Sequence, residues 1–422
     1  MILLRNIQID GSPRDLLIEK DLISKIAPAG SSRSWDLAGD IEIMDCSGKV
    51  AIPGFVNMHT HAGMTLMRGI GEDMVFHDWL KKIWSIEDHF DSDFVYWSTK
   101  IACLEMIRTG TTTFNDQYWF FPAAHKAAVE MGVRHSLGYD MIDKGDPEEA
   151  ERQKDQCLRW YELARDIWEK GSIYEVAFHA VYSVSEGLIR WISDFARERD
   201  LNLHIHLCET LKEVEDCKAA HGGLTPVEYL EELGVLGPNL LAAHTLWLSE
   251  HDIELLAKRG VHCIHNINSN AKLASGYKFK YQEMRDAGIN ICLGTDGCAS
   301  SNNLDLLEAM KTAALFQKAW RGDPKALPLG ELMDMATING AKALKINAGV
   351  LVEGALADIS IVDTDNTFFL SPGGFLANLV YSAHSDCIDS VICGGKFVMR
   401  HREVEGEREI IEQARKEIKR ML

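Results

Sequence analysis

Eight apolar runs recur through the middle of this chain, at 51–61, 111–116, 133–140, 174–181, 201–209, 240–247, 261–268 and 290–296, and histidines or carboxylates cluster at their ends. Each run has the length and residue types of a β-strand. The stretches between them carry helical periodicity. In 91–109, Phe94, Trp97, Ile101 and Leu104 recur at spacings of three and four, with Ser92 as a candidate N-cap and Gly110 as a stop. Eight strands alternating with helices predict an α/β chain built on a parallel (β/α)8 barrel.

The chain ends read differently. Before the barrel, 2–9, 16–26 and 41–46 are rich in Ile and Leu and are separated by Gly11, Pro13, Gly30 and Gly48. After it, 350–363 and 387–401 look β-like again, with Gly394 and Gly395 marking a turn. We expect both ends to pair into one small β-sandwich. The expected division is 1–53 for its N-terminal part, 54–349 for the barrel, and 350–422 for its C-terminal part with a terminal helix. That helix should show Ile410, Ala414 and Ile418 on one face.

Charge and cysteine content narrow the function classes. Acidic residues outnumber basic ones, 63 to 44, for a formal charge of −19. Such a surface repels a phosphate backbone, so no nucleic-acid partner is expected. No apolar run reaches the length of a membrane span, and MILLRNIQIDG is apolar for only three residues before Arg5. Ten scattered cysteines without a CxxC pair read as reduced thiols of a cytoplasmic protein.

Several strand ends carry metal-ligand chemistry. His59 and His61 form an HxH at the end of the first run, and residues two apart on a strand share a face. His206 lies in the fifth run, His244 in the sixth, and Asp296 ends the eighth. In a (β/α)8 barrel such positions converge on one mouth. Imidazole nitrogens with a carboxylate suit zinc or a similar divalent ion, with iron, nickel and manganese as alternatives. His204 is expected to be a buried, hydrogen-bonded barrel residue one layer deeper.

The strings PGFVNMHTH, HLCET, AAHTLW and LGTDG resemble the amidohydrolase superfamily, and the resemblance covers nearly the whole chain. It is strongest to the branch holding cytosine and guanine deaminases, triazine hydrolases, and deaminases of methylthioadenosine and S-adenosylhomocysteine. The resemblance implies that His59, His61, His206 and Asp296 ligate the metal and that His244 hydrogen-bonds its water. Two-metal members carry a bridging lysine on the fourth strand. YEVAFHAV has none, so one metal ion is expected. Homo-oligomers are expected by the same analogy.

A bound divalent ion makes hydroxide available near neutral pH. Asp296 could accept the water's proton. Glu209, three residues beyond His206, could shuttle a proton to a ring nitrogen and then to a leaving amine. The expected reaction is hydrolytic deamination of an aminoheterocycle. Amide or triazine-chloride hydrolysis could use nearly the same parts, and a non-catalytic scaffold is the remote alternative.

The string HTHAGMTLMRGIGEDMVFHDWL, followed by IED, resembles the adenosine-derivative deaminases. The resemblance implies that Glu87 binds ribose hydroxyls and that His179 contacts substrate. Glu209 and Asp296 would also touch it. That group carries arginines after the third strand, whereas Tyr139 and Asp140 stand here. Adenosine, 5′-deoxyadenosine or methylthioadenosine therefore fit better than S-adenosylhomocysteine, whose tail ends in a carboxylate.

Overall fold

In the computed structural model, which describes residues 1–37, 39–167 and 171–422, the eight runs form eight parallel strands. They are Phe55–Thr60, Thr111–Tyr118, Arg134–Met141, Ser172–Phe178, Leu203–Leu207, Leu240–His244, His262–His265 and Asn290–Leu293. Each pairs with the next in parallel register, for example Leu207 opposite His244 and Gly138 opposite Glu175. The first two strands are buried along their whole length, which is why they read as continuous apolar or small-polar runs rather than alternating ones.

The first and eighth strands meet through side chains and one main-chain bond. Asn57 donates to Thr295 Oγ1 at 2.7 Å and accepts from the Thr295 amide at 3.1 Å. The Asp296 amide donates to the His59 carbonyl at 2.9 Å. A predicted metal ligand on each side of the seam is thereby tied to the other.

The chain ends pair as expected and join into one continuous mixed sheet. Its strand order is Lys396–Met399, Ile388–Cys393, Ile359–Asp363, Lys49–Pro53, Ile2–Ile9, Ser12–Glu19 and Leu22–Pro28, with Glu42–Asp45 also on Ile2–Ile9. Lys49–Pro53 and Ile359–Asp363 pair antiparallel, so residues about 300 positions apart share the ladder. The sheet meets the N-terminal ends of the first three barrel strands. The Gly54 amide donates to the Asp358 carbonyl at 2.9 Å, and Ser360 Oγ donates to the Gly110 carbonyl at 2.7 Å. Arg134, at the start of the third strand, forms a buried ion pair with Asp358 at 2.9 Å. The C-terminal mouth is left to the loops.

Three local expectations change. The stretch 16–26 is a hairpin rather than one strand, because Lys20 adopts φ 58° and reverses the chain. Asp91 rather than Ser92 caps the helix Ser92–Arg108, accepting the Phe94 amide at 2.9 Å. In the terminal helix Glu407–Met421, Ile410 and Ala414 are buried but Ile418 is exposed. That helix lies along Ser92–Arg108, pinned by Glu407 to Arg108 and by Arg420 to Asp91. The expected turn at Gly394 and Gly395 forms, with φ 54° and 74°; a Cβ on Gly395 would meet the Lys20 carbonyl oxygen at 1.8 Å.

Candidate metal centre and substrate pocket

His59, His61, His206, His244 and Asp296 converge at the barrel mouth. Nitrogens of His59, His61 and His206 lie within 4.8 Å of one another, as do ligand atoms of His59, His244 and Asp296. Asp296 Oδ1 is 3.2 Å from His61 Nε2 and 3.6 Å from His59 Nε2. His206 Nε2 and His61 Nε2 approach to 3.2 Å.

The far nitrogens are engaged. His61 Nδ1–H donates to the Gln117 carbonyl at 2.6 Å and His206 Nδ1–H to the His179 carbonyl at 2.9 Å. His59 Nδ1 faces His204 Nε2 at 3.0 Å. Each ring thus turns its Nε2 inward, and the buried Nε2 of His59 has no hydrogen-bond partner among the described residues. Three inward imidazoles with one carboxylate fit a single divalent ion of the zinc type. Among the described residues of the fourth strand there is no lysine to hold a second ion.

His244 differs from the other three. Asn270 Nδ2 donates to its Nδ1 at 2.9 Å, so the ring proton sits on Nε2. A protonated nitrogen cannot ligate but can donate, and His244 lines the chamber into which that donor faces.

Burial and mutual repulsion set the charges. Burial, then the His61 and His206 charges, keep His59 far below the usual imidazole range; burial and His179 do the same to His206. His244 falls to about 4, mainly by burial. Burial opposes ionisation of Asp296, but a hydrogen bond from His61 and its charge outweigh it and hold the carboxylate below its usual range; the same contact raises His61 to about 9, and a bound ion would displace that proton from His61 Nε2. Burial, reinforced by Asp296 and Glu213, drives Glu209 well above its ordinary value and favours its protonated form.

The turn that presents Glu209 is braced locally. Cys208 adopts φ 52°, and the Cys208 and Glu209 amides donate to Glu213 Oε1 and Oε2 at 2.9 and 2.8 Å. Thr210 caps the following helix on the Glu213 amide. Glu209 Oε1 lies 3.7 Å from His244 Nδ1 and accepts from Ser275 Oγ at 3.3 Å. Non-glycine residues also take positive φ at His244 (73°), Thr245 (44°) and Asp296 (65°), where the strands stop and their side chains turn to the mouth.

Glu87 and His179 reach the same pocket, together with Trp79, Trp84, Tyr118 and Leu273. Glu87 ends the helix Phe76–Glu87, which lies over the mouth. Tyr118 donates to Glu87 Oε1 at 2.7 Å, and burial pushes Glu87 up to about 7. His179 Nδ1–H donates to Ser183 Oγ at 2.9 Å, leaving Nε2 as an acceptor, and Trp84 stands edge-on to it at 5.4 Å. The inner chamber, about 60 Å³, opens past Trp84 and Glu87 into an outer cleft of about 630 Å³.

The sequence reading left out Tyr118, Gln117, Asn270 and Glu213, none of which lies in a motif. It also left out Arg152. Tyr139 points away from the inner chamber, donating to Gln153 Oε1 at 2.8 Å, while Arg152, from the helix Pro147–Asp166, lines the outer cleft and is held by Glu149. An arginine therefore does reach the cleft, from the helix after the third strand. His265 ends the seventh strand but stacks on Phe279 at 3.9 Å, outside the chamber.

The amidohydrolase family model matches residues 50–398. The chain is 44% identical to a 5′-deoxyadenosine deaminase of Methanoregula boonei over 418 residues, covering 98% of this chain and 93% of that one. It is 42% identical to a 5-methylthioadenosine/S-adenosylhomocysteine deaminase of Archaeoglobus fulgidus, covering 100% and 99%. Among solved structures it is similar to a zinc-bound adenosine deaminase from Xanthomonas campestris, with TM-score 0.91, 29% identity, and coverage of 100% and 98%.

Proposed function

We propose that this chain, which belongs to the amidohydrolase family, hydrolyses the 6-amino group of an adenosine derivative, releasing the inosine derivative and ammonia. One observation carries the reading: a buried Glu209 carboxyl sits beside His244 and Asp296, in a chamber whose other wall offers the Glu87 carboxyl.

His59, His61, His206 and Asp296 would hold one divalent ion, zinc by its donor set, and when bound that ion acidifies a water. Asp296 stays ionised and accepts a proton from the attacking water. His244 donates Nε2–H to the oxygen that bonds to C6. Glu209 gives its proton to the adjacent ring nitrogen, which makes C6 a better electrophile; it then takes the proton of the new C6 hydroxyl and passes it to the amine, and the proton held by Asp296 returns to Glu209. The C6–O bond forms, the C6–N bond breaks, and ammonia leaves.

Glu87 accepts the Tyr118 hydroxyl on one oxygen and offers the other to the ribose diol. His179 accepts a substrate donor on Nε2. A 5′ substituent would extend past Trp84 into the outer cleft.

The test is ammonia release with the adenine-to-hypoxanthine ultraviolet shift. The panel is adenosine, 5′-deoxyadenosine, methylthioadenosine, S-adenosylhomocysteine, adenine, guanine and cytosine, with zinc-loaded protein. Turnover of ribosides alone supports the reading. Turnover of free bases alone, or of nothing in the panel, overturns it.

A further inference from the structure

We infer that Glu175, inside the barrel beneath the mouth, is a positioning residue for the metal: through His204 it orders the protons on His59 and supplies the second negative charge that a divalent ion needs. The inference rests on the metal site proposed above.

The residues form a chain of contacts. His59 Nδ1 lies 3.0 Å from His204 Nε2. His204 Nδ1 lies 3.0 Å from Glu175 Oε1. Glu175 Oε2 accepts from Ser136 Oγ at 2.9 Å. His59, His204, Glu175 and Ser136 all have zero exposure, so no solvent competes for these contacts.

One requirement fixes every proton. To ligate through Nε2, His59 must carry its proton on Nδ1. That proton can only be given to His204 Nε2, which must be a bare acceptor. The His204 proton then sits on Nδ1 and is given to Glu175. Ser136 satisfies the second carboxylate oxygen. A group other than a carboxylate at 175 would leave the far end of this chain without an ionic acceptor.

One further observation marks a built arrangement. Gly138, opposite Glu175 in the neighbouring strand, clears its space: a Cβ there would lie 3.2 Å from both Glu175 Cγ and Oε1. Asn115 Nδ2 donates to the Met58 carbonyl at 3.1 Å and also stands 3.2 Å from His204 Nδ1; the relay assigns the Nδ1 proton to Glu175 Oε1, the nearer partner at 3.0 Å, so Asn115 is a neighbour of that contact and not its donor.

Charge explains why a carboxylate is worth burying. Asp296 is the one anionic ligand of the proposed set, so three neutral imidazoles and Asp296 would leave a divalent ion with one excess positive charge until its water ionises. Glu175 balances it from one layer below, relayed by His204. Carboxylate–histidine–metal contacts tune ligand basicity and metal affinity, and here the contact is extended by a second imidazole.

The test compares the parent chain with Glu175→Gln, which keeps the shape and removes the charge. Zinc affinity is measured by chelator competition, and the visible spectrum of the cobalt-loaded protein reports on the His59 donor. The expected result is a loss of affinity of about 10- to 100-fold with a shifted cobalt band. Glu175→Asp, which keeps the charge but withdraws it from His204, should lose less in the same direction, and it serves if the glutamine variant does not fold. Zinc affinities within twofold of the parent in the folded variants, with an unchanged cobalt band, would overturn the relay. A parent chain that binds no zinc overturns the metal site itself, which is a separate failure.

Discussion

Two buried polar clusters sit at opposite ends of the same barrel, and they differ in how completely they are satisfied. At the N-terminal end, Asp358 accepts from Arg134 Nε at 2.9 Å, from Arg134 Nη2 at 3.3 Å and from the Gly394 amide at 2.7 Å. Both carboxylate oxygens are occupied, and the pair joins the barrel to the end sheet. At the mouth, His59 Nε2 and His244 Nε2 are buried without a hydrogen-bond partner among the described residues, while their opposite nitrogens are held at about 3 Å. Burying an unpaired polar atom costs free energy, so a protein keeps several only where something else completes them. The first cluster holds structure together; the second holds itself ready for a ligand.

The comparison can be broken by substitution. The largest effect should come from Glu209→Gln, which removes the transferable proton. Turnover should fall by about a hundred- to ten-thousand-fold, with zinc still near one per chain by elemental analysis. Loss of the zinc instead would make Glu209 structural.

Next comes the satisfied cluster. Asp358→Ala strands a buried guanidinium and should cost about 3–5 kcal/mol in denaturant unfolding. Activity per folded molecule should change little, because the pair lies at the end of the barrel remote from the mouth. A large loss of turnover in fully folded protein would erase the division of labour between the two ends.

Third is Glu87→Ala. Removing a charged acceptor of hydroxyl groups costs about 1.5–3 kcal/mol, so KM for ribosides should rise by about 10- to 100-fold. KM for a free base, if turned over at all, should not move. An equal rise for both would contradict the ribose contact.

The smallest effect is on pH-dependent stability. Burial raises Glu87 from an ordinary 4.5 to about 7, so the folded state holds a proton that the unfolded state loses. The sign follows: this contribution is fully present below pH 4.5, declines as pH rises, and is gone above about 7. Glu87→Gln removes the ionisation. Relative to the parent, its unfolding midpoint should rise between pH 5 and pH 8; a constant difference across that range would show that Glu87 titrates normally.

The same contrast separates what was legible in the sequence from what was not. The eight strands could be read because burial on both faces forces apolar runs that local composition displays. The histidines and Asp296 could be read because barrel topology sends strand ends to one mouth, so position along a run implies position in space. Cap placement could not be settled: Asp91 and Ser92 are both good cap residues, and the choice depends on where the backbone leaves the helical region. The hairpin at Lys20 was hidden because a non-glycine residue made the turn. Tyr118, Asn270, Glu213 and Arg152 carry no motif. They act through contacts with other parts of the chain, such as Tyr118 with Glu87, 31 positions away.

By itself, then, the sequence determined the strand count and brought forward His59, His61, His206, Asp296 and Glu209 as candidates, because each depends on residue type and local period. The tertiary structure alone decided which nitrogen of each histidine faces inward, which carboxyls are buried enough to hold a proton, and that Glu175 stands behind His204 and His59. Those properties depend on distances between strands and on exclusion of water, and neither is a property of any segment taken alone.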